Sequence, residues 1–183
     1  MKKRNDSTII SNEKIDMMKL TSAKKIILEM QKELDGYIKN GSGPFLAAIY
    51  DTEGKLIAKA ANSVISEQCS HNHAEMNVIK MAEKILGNND LSSYHLKLYV
   101  TSEPCMMCLG GIMWSGIKEV YYGVSSKRVE EITGFDEGFK PNWLTEFKNR
   151  GIIVYGQIES KAGEKVLENY IKKGYTVYKP HRS

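Results

Sequence analysis

The chain has 183 residues, 42% of them hydrophobic and 26% charged, which suits one soluble domain with a sizeable core. The net charge is +4, yet residues 1–25 alone carry seven Lys/Arg against three Asp/Glu, so the remainder is near neutral and offers no broad basic face for a phosphate backbone. No apolar run approaches the roughly eighteen residues of a membrane span, and no hydrophobic stretch follows Met1-Lys2-Lys3-Arg4, so neither a membrane anchor nor a secretory signal is expected. Three cysteines, two of them in a Cys-x-x-Cys, suit metal binding in a reducing, cytoplasmic compartment better than a disulfide framework.

Residues 1–15 read as a polar, mobile leader and 16–183 as the domain. From Asp16 to Lys39 the residues Met18, Ile26, Ile27, Met30, Leu34 and Ile38 recur at helical spacing, and Asn40-Gly41-Ser42-Gly43-Pro44 ends the helix. Phe45–Tyr50 and Lys55–Ala61 form two strands joined by an Asp51-Thr52-Glu53-Gly54 turn. A polar loop leads to His73, which opens a helix whose apolar set is Met76, Val78, Ile79, Ala82, Ile85 and Leu86. Leu96–Thr101 is a strand, Cys105–Ser115 a short apolar helix, Glu119–Val124 a strand, and Ser125–Asn142 a glycine-containing loop. Ile152–Ile158 is a further strand, followed by a helix to Lys172, and Tyr175–Tyr178 one more short strand. This order predicts an α/β protein, a three-layer α/β/α sandwich with a mixed sheet of about five strands.

The chemistry concentrates in His73-Ala74-Glu75 and Pro104-Cys105-Met106-Met107-Cys108. One imidazole and two thiolates supply three ligands for Zn²⁺, leaving a fourth tetrahedral place for water, as catalytic but not structural zinc sites do. Glu75, two residues after the histidine, is the candidate proton shuttle. Both segments start helices, whose free N–H groups favour thiolate over thiol. His71 precedes the helix and Cys69 would fill the vacant place, so neither is expected to ligate.

The His-x-Glu and Pro-Cys-x-x-Cys pairing resembles that of the cytidine/deoxycytidylate deaminase superfamily, over about residues 18–173. Within it the chain looks most like the guanine deaminases. Gly43-Pro44-Phe45 leads into the first strand, Asn62 lies eleven residues before His73, Trp114 follows the Pro-Cys-x-x-Cys motif, and Asp136 in Gly134-Phe135-Asp136 lies 28 positions beyond Cys108. The resemblance implies a cytidine deaminase-like fold, zinc held by His73, Cys105 and Cys108, and Glu75 as acid–base catalyst. It implies Asp136 as a second proton carrier or reader of the guanine edge. Asn62 would bind the base, Phe45, Trp114 and Phe135 would wall it, and Glu103 would position the cysteine loop beside it. Some guanine deaminases exchange the C-terminal tail between subunits to close the pocket. Here the tail reads as the ordinary strand and helix of the superfamily, which gives no ground for tail-derived pocket residues.

The implied reaction is hydrolysis of guanine to xanthine and ammonia by a homodimer acting on a small nucleobase or nucleoside. A tRNA adenosine deaminase, which would flip its target base into the same pocket, is the alternative, as are cytosine or guanosine substrates. The near-neutral residues 26–183 favour the small molecule over tRNA.

Overall fold

The computed structural model describes residues 9–10 and 17–179; most of the leader lies outside the described residues. Helix α1 (Met17–Lys39) buries Ala23, Ile27, Met30, Leu34 and Ile38, a three-and-four spacing that sets one stripe inward. It stops where Gly41 takes a left-handed φ of 91°. Met18, expected on that stripe, is 83% exposed, because inward packing begins only at the second turn.

Strands β1 (Ile9–Ile10), β2 (Leu46–Tyr50), β3 (Leu56–Ala61), β4 (Lys97–Ser102), β5 (Glu119–Val124) and β6 (Ile153–Gly156) form one sheet in the order β1-β6-β5-β4-β2-β3. The expected five are present, and the two-residue β1 adds an antiparallel edge to β6. β4, β5 and β6 run parallel, whereas β2 is antiparallel to both neighbours, so the sheet is mixed.

Alternation along the strands makes the layers. Ala47, Ile49, Leu98, Val100, Val120, Tyr122 and Val154 share a core with helices α2 (Ala74–Leu86) and α3 (Met106–Ser115) on one face. Leu46, Ala48, Tyr99, Tyr121 and Tyr155 pack beneath α1 on the other, with Tyr170 of the last helix. Tyr99, Tyr121 and Tyr155 stand in register on neighbouring strands, and their rings stack at centroid separations of 4.6 and 4.7 Å. Each fully buried large apolar side chain contributes about 1.5–3 kcal/mol, so the two faces together supply the driving force for folding.

The segment expected to be a loop over Ser125–Asn142 begins with helix α4 (Ser126–Thr133), and α5 (Trp143–Asn149) follows it. In α4 the inward residues Val129 and Ile132 are separated by charged ones, so eight residues carry too short a repeat to announce a helix. Helix α6 (Ser160–Lys172) follows β6 as expected. Tyr175–Tyr178 is irregular and joins no sheet: the chain turns at Gly174 (φ 71°) and lies against α6 instead.

Candidate active site

The parallel strand β4 delivers the cysteine turn at its C-terminal end, the edge where α/β sheets bind ligands. His73 and Cys105 are the N-cap residues of α2 and α3, both in extended backbone, and Glu75 and Cys108 lie in the first turns. Two helix N-termini therefore converge. The His73 loop is fixed by Asn77, one turn into α2, whose amide donates to the Ala61 carbonyl at 3.0 Å and to Ser63 Oγ at 2.9 Å. Asn77 was not foreseen from sequence, since an asparagine inside an amphipathic helix carries no signal of its own.

His73 Nδ1 lies 3.4 Å from Cys105 Sγ and 3.6 Å from Cys108 Sγ, and the two sulfurs are 3.6 Å apart. Zinc bonds of about 2.3 Å to sulfur and 2.0–2.1 Å to nitrogen, at tetrahedral angles, set neighbouring donors roughly 3.5–3.8 Å apart. The triangle thus fits three corners of a zinc tetrahedron, and it is the one such donor cluster among the described residues. A hydrogen bond from Cys108, with His73 beside it, holds the Cys105 thiol down to about 4. Cys108 moves up through that same shared proton and through burial. Cys69 and His71 stand apart from the triangle as a pair of their own, with Sγ 3.3 Å from Nε2.

The triangle opens into a cavity of about 460 Å³. Glu75 lies on its wall, 6% exposed, and burial reinforced by the Cys105 thiolate pushes its carboxyl up to about 7. Asn62 is buried just past the end of β3; its Oδ1 accepts the Val64 N–H at 3.2 Å, and the residue lines the cavity. Phe45 and Phe135 meet edge to face at 5.3 Å and close one side.

One of the expected wall residues does not reach the cavity. Trp114, expected to wall the base, is 82% exposed and is not among the cavity residues. Helix α3 turns Cys108, Leu109, Ile112 and Ser115 inward, which places position 114 on the outer face. Glu103 does reach the cavity, but both its oxygens are engaged by the 126–143 segment. Asp136 lines the cavity from an exposed position, its Oδ1 accepting the Gly138 N–H at 2.9 Å. Its neighbour Glu137, which sequence reasoning passed over, is the more enclosed carboxyl. Burial pushes it up to about 8 against the pull of Lys140, and the charges of Cys105 and Glu75 add to the rise. The tail also contributes: Thr176 and Tyr178 line the cavity from within the same chain, with Thr176 held by a 2.6 Å hydrogen bond from the Tyr170 hydroxyl to its carbonyl.

A His-Cys-Cys donor triangle beside a buried carboxyl, on an α/β/α sandwich, defines a zinc-dependent hydrolytic deaminase. The chain belongs to the family described as the cytidine and deoxycytidylate deaminase zinc-binding region, whose model matches residues 20–124. Among characterised relatives it is 34% identical to the guanine deaminase of Bacillus subtilis over 128 residues, 70% of each chain. It is equally 34% identical to the tRNA-specific adenosine deaminase of that organism over 146 residues, 79% of this chain and 86% of that one. A solved guanine deaminase from Nitrosomonas europaea superposes with a TM-score of 0.77 at 29% identity, covering 92% of this chain and 98% of that one.

Proposed function

We propose that this chain hydrolyses guanine to xanthine and ammonia. The observation that carries the reading is the small aromatic-walled cavity in which the donor triangle meets the buried carboxyl of Glu75 and the half-buried one of Glu137. The likeness to the Nitrosomonas europaea guanine deaminase, which extends over nearly the whole of both chains, supports the choice of base.

His73, Cys105 and Cys108 would hold the zinc, which when bound would supply Lewis acidity enough to bring a water's pKa to about 7. Glu75, itself poised near 7, takes the proton released as the water oxygen attacks C2 and passes it to the adjacent ring nitrogen. As the C–N bond breaks, the new C2 hydroxyl gives its proton back to Glu75 and becomes the carbonyl, while a proton delivered to the exocyclic amine by Glu75, or by Glu137 and then replaced from Glu75, lets it leave as ammonia. The Nδ2 of Asn62 donates to an acceptor on the base, and the exposed carboxylate of Asp136 suits the N–H-rich guanine edge. Phe45 and Phe135 keep the ring plane fixed and bulk water out.

The test is ammonia release from a panel of free bases, nucleosides and tRNA with the zinc-loaded protein. Guanine should be turned over well ahead of the rest. Turnover confined to tRNA would replace this reading with the second one, which the Bacillus subtilis tRNA-specific adenosine deaminase favours. The absence of net charge over residues 26–183 weighs against that second reading, which requires RNA affinity that falls steeply with salt.

A further inference from the structure

Glu103 immediately precedes the Pro104-Cys105 turn, and its main-chain N–H donates to the Val124 carbonyl at 2.7 Å. Its side chain is 13% exposed, and its oxygens receive the Ser126 N–H at 2.9 Å, the Trp143 indole N–H at 3.2 Å and the Lys140 ammonium at 3.3 Å. Ser126 opens α4 and Trp143 opens α5, so one carboxylate ties down the first residue of each of the two helices that flank the excursion carrying Phe135, Asp136 and Glu137. Between α4 and α5 no regular backbone pattern fixes the excursion. Lys140 lies within it, its side chain only 14% exposed, and also contacts Ser126 Oγ. Removing either half of this enclosed ion pair leaves the other charge without its partner, so the pair sets the loop's conformation more than it adds net stability.

We propose that the Glu103–Lys140 pair positions the 134–142 excursion so that Glu137 faces the His73, Cys105 and Cys108 triangle. The pair touches no reacting atom and acts through Glu137, so this inference rests on the proton-carrying role proposed above.

The experiment compares zinc-loaded Lys140→Met, Glu103→Gln and Lys140→Arg with the parent chain. Zinc content should be unchanged, and backbone amides of 134–140 should exchange with deuterium faster in Lys140→Met and Glu103→Gln. Turnover should fall about 10- to 100-fold, as for a displaced catalytic group. KM for guanine should rise as well, because Phe135 and Asp136 move with the excursion, and arginine should restore most of both. In a Glu137→Gln background, Lys140→Met should cost no further turnover at saturating guanine, because for the proton step the two act as one unit. A full additional loss in that background, or unchanged exchange at 134–140, overturns the proposal. The exchange measurement needs no substrate, so an error over the base would show separately, as absent guanine turnover in the parent chain.

Discussion

Gly43 approaches Asn62 so closely that a Cβ at position 43 would stand 2.9 Å from Asn62 Oδ1. The two are also tied through the backbone, Gly43 N–H to Asn62 carbonyl at 3.1 Å, and Asn62 N–H to Phe45 carbonyl at 3.0 Å. Gly43→Ala must therefore move the Asn62 amide, which is anchored by Val64 and cannot swing freely. The expected outcome is a KM for guanine raised about tenfold, the worth of one ligand hydrogen bond, with unfolding changed by less than about 1 kcal/mol. Steady-state kinetics and a urea titration read both; an unchanged KM would remove Asn62 from substrate binding.

Glu75→Gln keeps the shape of the buried side chain but removes its ability to exchange a proton. Turnover should drop by about 10²–10⁴-fold, the range of general acid–base help. Zinc content, measured by atomic emission, should stay at the parent's level, because Glu75 is outside the donor triangle. Substantial residual turnover would mean that another group moves the proton.

The strands and the donor triangle were legible in the sequence because each carries a strong local signal: alternation or an apolar run for β2 to β6, and short fixed spacings for His73, Glu75, Cys105 and Cys108. Trp114 was misread because adjacency to a motif says nothing about which way a helix turns a side chain; burial of Cys108 and Ile112 decides that, and it faces Trp114 outward. Glu137 was passed over for Asp136 because enclosure, which separates two neighbouring carboxyls, arises only when the excursion folds back toward Cys105. Thr176 and Tyr178 were missed for a similar reason: the Tyr170 hydroxyl that holds the tail over the cavity is a contact of the folded chain, and the aromatic spacing there imitates a strand.

Asp136 and Glu137 should separate kinetically. Glu137→Gln, at an enclosed position that faces the negative charges of Cys105 and Glu75, should lower turnover by about tenfold or more with little change in KM. Asp136→Asn, at the exposed rim, should raise the KM for guanine more than it lowers turnover, since it exchanges an acceptor for a partial donor against the base's N–H groups. The reverse pattern would return the proton-carrying role to Asp136.

Zinc removal has both a chemical and a structural readout. With zinc bound, Cys105 and Cys108 are consumed as ligands, so of the three free cysteines only the partly exposed Cys69 should react with a thiol reagent. A chelator should expose Cys105 and then the more buried Cys108, abolish ammonia release and lower the melting temperature. At free zinc a hundredfold above its dissociation constant, binding adds about 2.7 kcal/mol, and returning zinc should restore all three readouts together. Magnesium should restore none, because it takes oxygen donors and the triangle offers two sulfurs and a nitrogen. If Cys105 and Cys108 reacted as fast as Cys69 in the zinc-loaded protein, the His73, Cys105 and Cys108 ligand set would be wrong.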